Sequence, residues 1–405
     1  MRIALVSFEF PPAIAIGGIG TYAWEAATML ARGGHEVEVF AAGKEGPEPA
    51  EEYGITVHRF AEDNRASFRK AIVPIFSSRH EDHPFDVLES PELGMEGQDI
   101  AEKFPTLPRV VKLHTPEYLL GQIGWEEPTL LEKLRFTLGC LRKGKIAFLK
   151  KPTFNPESDP ECLWTRSADE VASPSSAIGN RLADDWSLDR DKMSFFPLPM
   201  TPPEELLQIA SPTKARTVGF LGRLEPRKGI LEIARAIPTI LRKAPDTRFR
   251  LIGPTWKYKQ SDIESWIRKN FASSLHAIDF VGPIDKDQLA AELKKCDLML
   301  FPSRWESFGL VCPESMSAAR AVIGSSSGGM AEIIVDGESG ILVPPKNPLA
   351  IANAVLDLIS WPDRVELLAK NGRQRVLDFL SHKRTLPLQI SSYEKAIAAA
   401  KKRNA

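Results

Sequence analysis

The sequence predicts an α/β protein with two doubly wound domains in series. Short apolar runs rich in β-branched residues alternate with longer helical patterns in both halves of the chain, which is typical of parallel sheets covered by helices on both faces. The 405 residues suffice for two or three domains. The stretch 196–215 holds five prolines and little periodicity, which favours an interdomain connection there.

The first half reads as a strand–helix–strand series that begins at the N-terminus. Arg2–Phe8 is apolar enough for a buried strand, and Gly33-Gly34 stops the helix that follows it. The predicted elements are the strands Arg2–Phe8, Glu36–Ala41, Asp86–Glu89 and Arg109–Leu113 and the helix Thr21–Arg32. The first domain is therefore assigned to residues 1–200, and 201–212 to a linker.

The second half repeats the pattern and ends in helices, which assigns 213–384 to a second domain facing the first across a cleft. Its predicted strands are Arg216–Leu221, Arg248–Ile252, Ala277–Val281, Leu298–Phe301 and Ala321–Gly324. Its predicted helices are Gly229–Arg242, Leu349–Ile359, Arg364–Phe379 and Ser391–Lys401.

Charge is distributed unevenly between the halves. The formal net charge of −1 is the sum of −9 over residues 1–200 and +8 over residues 201–405. The small total excludes a uniformly basic nucleic-acid coat. A basic domain facing a cleft suits an anionic ligand such as a phosphate, and the alternative is chance surface composition.

The four cysteines contain no C-x-x-C pair, which disfavours a zinc ribbon or a thioredoxin motif and fits a reducing cytoplasm. No stretch reaches 18 apolar residues. Asp189-Arg190-Asp191 superficially resembles a D-x-D metal site, but a cation separates the acids, and no other cluster has ligand spacing. The sequence therefore predicts a cytoplasmic protein with neither metal nor cofactor.

The segment Gly222–Gly229 reads G-R-L-x-x-x-K-G directly after a predicted strand. Arg223 and Lys228 lie on either side of the strand-to-helix turn, where a planar guanidinium and an ammonium can converge on one diphosphate. Gly222 permits the sharp turn, and the helix beginning near Gly229 adds partial positive charge. The alternative is two solvated surface cations. Because ligands bind at the carboxyl ends of parallel strands, we predict a phosphate site.

The segment Trp305–Glu314 reads W-E-S-F-G-L-V-C-P-E after another strand. A helix is expected to begin near Phe308, with Glu306 in the loop before it and Glu314 inside it. Glu314 then accepts hydrogen bonds from ribose hydroxyls, and Glu306 faces sugar hydroxyls. After Ser307, the backbone N–H groups of Phe308, Gly309 and Leu310 at the helix start suit phosphate or sugar oxygens. The alternative is an ordinary capping acid and one exposed glutamate.

Weaker signals come from glycines and a histidine near predicted strand ends. Gly17-Gly18-Ile19-Gly20 permits close approach to a phosphate or sugar, or simply makes a tight turn. His114 ends the strand 109–113, where a neutral imidazole can donate to a sugar hydroxyl or be satisfied by loop backbone. Gly328–Glu332 either brings Glu332 to the same cleft or only starts a helix.

Residues 133–151 hold seven Lys/Arg and no acids within the acidic half, interleaved with leucines and phenylalanines. Such a segment suits an anionic membrane surface. The alternative, slightly favoured by the sequence, is that its apolar side packs into the domain and its cations face water.

These motifs resemble family 4 glycosyltransferases of the GT-B fold, in which two Rossmann-like domains face a central cleft. The resemblance rests on Gly17-Gly18, Gly222-Arg223 with Lys228-Gly229, Glu306 with Glu314, and the run GGMAEII-DG-SGILVPP. It implies metal-free transfer with retained anomeric configuration, a donor site in the second domain and an acceptor site in the first. It also implies that the last helix, 385–405, crosses back to the first domain.

The resemblance further implies roles for single residues. Arg223 and Lys228 neutralise the leaving diphosphate, Glu314 binds the ribose, Glu306 lies near donor-sugar hydroxyls and His114 approaches the sugar from the acceptor side. Base contacts come from the loops that contain Gly253, Pro283 and Ile284. Gly253-Pro254 departs from the G-x-G of many relatives, which leaves UDP or GDP open.

The expected activity is transfer of a hexose, first from UDP-glucose, to a saccharide or lipid-linked saccharide in exopolysaccharide, cell-envelope or glycolipid synthesis. The alternatives are a nucleotide-sugar epimerase on the same scaffold and a non-catalytic nucleotide-sugar-binding regulator. No nucleic-acid partner is expected. Peripheral contact with the inner face of a membrane through 133–151 is left open.

Overall fold

The computed structural model describes residues 1–14, 17–44, 50–52 and 54–405. It contains two α/β units, each with helices on both faces of a largely parallel sheet, as the alternation of apolar strands and helices predicts. All six residues of the first strand are buried, because both faces of such a sheet are covered.

The first sheet has strand order β3-β4-β2-β1-β5-β6-β7-β8 within the described residues. Its strands are β1 Arg2–Ser7, β2 Glu36–Ala42, β3 Ala50–Glu52, β4 Ile55–Phe60, β5 Val87–Pro91, β6 Arg109–Lys112, β7 Glu170–Ser173 and β8 Met193–Phe195. Among the strands of this sheet that the structure describes, only β3 pairs antiparallel, at the edge beside β4. The helices of this half are α1 Gly18–Arg32, α2 Arg65–Asp82, α3 Gln98–Lys103, α4 Glu117–Ile123, α5 Leu130–Leu141, α6 Pro160–Arg166 and α7 Ser176–Trp186.

The second sheet has order β13-β10-β9-β14-β15-β16, all parallel. Its strands are β9 Thr217–Leu221, β10 Arg248–Ile252, β13 Ile278–Gly282, β14 Leu298–Phe301, β15 Ala321–Ser325 and β16 Ile341–Val343, with a small hairpin of β11 Lys257–Tyr258 and β12 Ser261–Asp262. Its helices are α8 Glu204–Leu207, α9 Ile230–Lys243, α10 Ile263–Asn270, α11 Leu289–Lys294, α12 Val311–Ser317, α13 Met330–Ile333, α14 Pro348–Ser360, α15 Pro362–Phe379 and α16 His382–Asn404.

Three helices begin three or more residues from their predicted positions. The helix predicted at Ser391–Lys401 spans His382–Asn404. The helix expected near Phe308 begins at Val311, because Gly309 has φ +91°, which no α-helix allows. Helix α1 begins at Gly18 rather than Thr21, with Gly17 as its N-cap.

The proline-rich connection and the last helix both pack against neighbouring elements. Leu206 and Ile209 of the connection are buried in the second unit's core. Helix α16 lies against β5, β6 and β7 of the first sheet, and Arg403 near its end pairs with Asp169 at 2.8 Å. None of the helices in the described ranges is long and apolar enough to cross a bilayer.

Candidate active site

The site lies where the central strands of the second sheet end. Gly222 follows β9 and Gly253 follows β10, and both have positive φ, +138° and +135°. The Gly253 N–H donates to the Gly282 carbonyl at 2.8 Å. A Cβ at Gly253 would lie 2.2 Å from the Gly222 oxygen. The strand-end loops therefore stack backbone on backbone, which explains the glycines predicted at Gly222 and Gly253.

A chain of alternating cations and carboxylates follows β9. Lys228 Nζ lies 2.6 Å from Glu306 Oε1, and Arg227 Nη1 lies 3.3 Å from Glu306 Oε2. Arg227 also pairs with Glu225 at 2.8 Å, and Glu225 lies 3.4 Å from Arg223. The structure thus joins Arg223, Lys228 and Glu306, which the sequence singled out, through Glu225 and Arg227, which it did not.

Glu306 is buried and remains ionised. Burial alone raises the pKa of its carboxyl, but the ion pairs with Lys228 and Arg227 outweigh burial and lower the pKa to about 2. The Ser303 hydroxyl also donates to Glu306 Oε1 at 3.0 Å. Near neutral pH Glu306 can therefore accept hydrogen bonds from sugar hydroxyls, but it has no proton to donate.

Arg223 is the most exposed of the three cations in this cluster. Its side chain is 44% exposed, and its guanidinium lies over the Trp256 ring at 5.3 Å from the centroid. It borders a cavity of about 620 Å³ that is also lined by Tyr258 and, from the first unit, by Leu120 and Leu149. This volume is within the range of small-molecule sites. Lys228 and Glu306 do not line this cavity.

Glu314 lies on α12, eight residues after Glu306 in the sequence. Burial raises its pKa to about 7, and the positive charge of Lys286 partly opposes that effect. The loop after β13 therefore comes close to Glu314, and its Ile284 packs against the same core as Leu310. Pro283 is exposed in this loop. The loop after β13 and the loop before α12 therefore border the same core.

The loop 307–310 is divided between core and cleft. Phe308 is buried in the core, so its ring faces away from a ligand. The Ser307 carbonyl accepts a hydrogen bond from Ser175 Oγ at 2.6 Å. A Cβ at Gly18 would lie 3.6 Å from Leu310 Cδ1. Gly18 of the first unit therefore faces the loop 307–310 of the second, whereas Gly17 faces Glu9.

Glu332 reaches across the cleft, as its predicted position after β15 suggests. Its carboxylate accepts hydrogen bonds from the Ser176 and Ala177 N–H groups at 3.0 and 2.9 Å, at the start of α7. These bonds, with the Ser175–Ser307 bond, connect the two units directly. In this structure Glu332 binds the other domain.

His114 follows β6 and is buried in the first unit. Burial lowers its pKa to about 3, and the charges of Lys112 and Arg65 add to that effect. Its ring meets Tyr22 edge-on at 5.4 Å between centroids, and the adjoining cavity of about 20 Å³ has room for a water molecule. His114 is therefore neutral near physiological pH and able to donate one hydrogen bond.

A buried carboxyl that the sequence did not indicate positions His114. Both Glu92 oxygens lie 2.9 Å from the His114 backbone nitrogen, which donates to them. Burial raises the pKa of Glu92 to about 8, and the nearby charge of Glu161 adds to that shift. Glu92 carries no motif and precedes a short turn, so sequence patterns offered no signal for it.

Glu92 is expected to make the protein less stable as pH rises. Its folded pKa lies above its ordinary value of 4.5, so the folded state binds the extra proton between pH 4.5 and 8. Stability from this group is complete below 4.5 and is lost toward 8, by about 1.4 kcal/mol per pH unit. Denaturant unfolding at several pH values should show a shallower decline for Glu92→Gln than for wild type. Identical slopes would contradict this assignment.

Comparison with known proteins identifies the family. The model of "Glycosyl transferases group 1" matches residues 203–375, and that of "Glycosyltransferase Family 4" matches residues 16–200. The chain belongs to this glycosyltransferase family. The predicted resemblance to this family is confirmed, and the two matches together cover most of the 405 residues of this glycosyltransferase.

Curated relatives match over nearly the whole chain. A glycogen synthase of Mycobacterium tuberculosis is 26% identical over 407 residues, covering 93% of this chain and 90% of its own. A D-inositol 3-phosphate glycosyltransferase of Corynebacterium glutamicum is 25% identical over 441 residues, covering 98% and 97%. The relatives support the expected hexosyltransferase and offer no support for an epimerase or a regulator.

Solved structures show the same fold. Sucrose-phosphate synthase from Thermosynechococcus elongatus superimposes with a TM-score of 0.71 at 20% identity, covering 98% of this chain and 99% of that one. Anabaena HepE in complex with UDP-glucose gives a TM-score of 0.66 at 17% identity, covering 97% and 98%. The predicted GT-B architecture, two Rossmann-like domains around a cleft, is confirmed.

Proposed function

We propose that this glycosyltransferase moves a hexose from a nucleotide diphosphate sugar, UDP-glucose first, to a saccharide or lipid-linked saccharide acceptor, without a metal ion and with retained configuration. The observation that carries the proposal is the cluster of three cations, Arg223, Arg227 and Lys228, paired with Glu225 and Glu306 after β9 and β14. Choosing UDP-glucose draws support from HepE, which was solved in complex with that molecule.

The proposed donor pose follows from charge. The diphosphate lies against Arg223 and Lys228, which supply positive charge as the sugar–phosphate bond breaks. Glu314 accepts hydrogen bonds from the ribose, and the loops at Gly253 and at Pro283 and Ile284 contact the base. A metal is replaced in this scheme by fixed guanidinium and ammonium groups.

The proposed sugar pose uses Glu306 and His114. Glu306, ionised by its cation partners, accepts hydrogen bonds from sugar hydroxyls and stabilises positive charge that develops on the ring. Neutral His114 donates to a hydroxyl from the acceptor side. Lys228 is paired with Glu306 at 2.6 Å, so in this scheme it is shared between Glu306 and the incoming phosphate.

For a retaining reaction, the state of the site's carboxylates favours same-face attack over double displacement through a protein nucleophile. Glu225 and Glu306 are each held by two cations, which reduces their nucleophilicity. Attack on the same face, with the departing phosphate accepting the acceptor's proton, then requires no protein nucleophile. This scheme places the acceptor hydroxyl beside the leaving oxygen.

Donor choice is tested by thermal unfolding with UDP-glucose, GDP-mannose and ADP-glucose. A ligand at one hundred times its Kd stabilises the native state by about 2.7 kcal/mol, so UDP-glucose is expected to raise the Tm most. Glu314→Gln should reduce every nucleotide-sugar shift, whereas Arg235→Ala, at a residue that does not line the 620 Å³ cavity, should retain them. Absence of a shift with any donor would overturn the proposal.

Transfer is distinguished from epimerisation by the dependence on acceptor. Free nucleotide should be released from the donor only when a saccharide acceptor is added. Interconversion of donor sugars without nucleotide release would instead support an epimerase and contradict transfer.

A further inference from the structure

Helix α5 presents an apolar stripe to solvent. At ~100° per residue, Leu130, Leu131, Leu134, Leu138 and Leu141 fall within an arc of ~100°. All five leucines are exposed, from 48% for Leu138 to 86% for Leu130. All twelve residues of the helix are described, and none of them is buried. The sequence interpretation that this side packs into its own domain is therefore wrong.

The exposed apolar surface continues beyond the helix. Ile146 and Phe148 are 79% and 63% exposed. Single exposed apolar side chains are common on soluble proteins, but a contiguous group of this size marks an interaction surface. We call residues 130–151 the docking segment.

The docking segment is also strongly cationic. All seven of its Lys and Arg side chains are exposed: Lys133, Arg135, Arg142, Lys143, Lys145, Lys150 and Lys151. Within the part of the chain that the structure describes, Lys133 alone among them has an ion pair, with Glu127 at 3.6 Å. The surrounding half of the chain carries a net charge of −9, so these cations are concentrated rather than spread.

The segment is held in place at its start. Thr129 and Glu132 form a capping box at the beginning of α5, and Glu132 pairs with Lys259 of the second unit at 3.2 Å. Arg304 pairs with Glu126 just before the helix. Leu149 at its end lines the 620 Å³ cavity that contains Arg223. The docking segment therefore lies beside the entrance to the candidate active site.

We propose that the docking segment binds the surface of a bilayer that contains anionic lipids. Leucine and phenylalanine side chains enter the acyl boundary while Lys and Arg contact the headgroups. A nucleic acid would match the cations but leave the apolar stripe in water, so charge and apolar pattern together favour the lipid surface. An amphiphilic acceptor held in that bilayer would meet the cavity at Leu149.

The test is flotation of the full chain with vesicles of phosphatidylcholine alone or mixed with phosphatidylglycerol. Wild type should bind the mixed vesicles, bind phosphatidylcholine far more weakly, and dissociate as salt is raised. Leu134→Ser/Leu138→Ser should weaken binding roughly tenfold or more. Lys143→Gln/Lys145→Gln should weaken it roughly 25-fold, at about fivefold for each cation near the surface.

Matched controls use exposed residues elsewhere. Leu349→Ser/Leu367→Ser and Lys401→Gln/Lys402→Gln should bind as wild type does, because these side chains are exposed on other helices. Failure of wild type to bind the mixed vesicles, or equal binding by the docking-segment variants, would overturn the proposal. A concentration-dependent dimer abolished by the leucine variant, without vesicle binding, would also overturn it. Donor binding measured without lipid tests the proposed function separately.

Discussion

Arg223→Ala is expected to lower turnover by roughly 10²–10³-fold while the protein remains folded. Removal of one preorganised charge from a departing anion costs roughly 2.7–4 kcal/mol of barrier. The side chain is 44% exposed and touches only Glu225, at 3.4 Å, and the Trp256 ring among the contacts described, so little packing is lost. Initial rates at saturating donor, with an unfolding curve for the same preparation, measure both quantities.

The chain offers a matched control for Arg223. Arg235 also lies over a tryptophan, Trp266, at 5.9 Å and near a glutamate, Glu232, at 3.8 Å, and its side chain is 45% exposed. Arg235→Ala should retain wild-type turnover because its side chain does not line the 620 Å³ cavity. Unchanged turnover in Arg223→Ala would remove Arg223 from the proposed mechanism.

Lys228→Met is expected to lower turnover by a similar factor, roughly 10²–10³-fold, and also to alter the pH profile. Lys228 is the foremost group that opposes the effect of burial on Glu306. Without its ammonium, the pKa of Glu306 rises from about 2 toward its ordinary value. Glu306 then takes up a proton at higher pH, and the acid limb of the kcat profile moves upward.

The pH profile of kcat distinguishes the role of Arg223 from that of Lys228. Arg223 does not contact Glu306, so Arg223→Ala should lower the whole profile without moving its acid limb. Lys295→Met, which breaks a surface pair with Glu292 at 2.5 Å, is the matched control and should change neither rate nor profile. An acid limb in Lys228→Met at the wild-type position would contradict the role assigned to the Lys228–Glu306 pair.

The sequence predicted the central strands because their apolar residues are continuous. It missed β7, a four-residue strand that begins at the buried Glu170 and ends at Ser173, leaving only two apolar residues; the Ser194 hydroxyl donates a hydrogen bond to Glu170. It also missed β4, whose His58 and Arg59 interrupt the apolar pattern. Polar residues stabilised by partners far along the chain give no local signal. Tertiary contacts, rather than propensity, decide such elements.

The candidate site also contains some residues that the sequence predicted and others that it missed. Arg223, Lys228 and Glu306 were predictable because glycine turns and strand ends surround them in the sequence. Arg227 was not, since adjacent arginine and lysine usually share a solvated surface, and only the fold brings Glu306 within 3.3 Å. The roles assigned to residues 307–310 remain predictions. In the structure the Phe308 ring lies in the core rather than in the cleft.

The hydrogen bonds that Glu332 accepts from α7 allow the opening of the cleft to be followed by amide hydrogen exchange. The amide hydrogens of Ser176 and Ala177 are sequestered only while the second domain's carboxylate lies against them. Their exchange with deuterium in solvent therefore follows separation of the two domains rather than unfolding of either. The exchange rate of these two adjacent amide hydrogens therefore reports how often the domains separate, and ligands that favour the closed state slow the exchange.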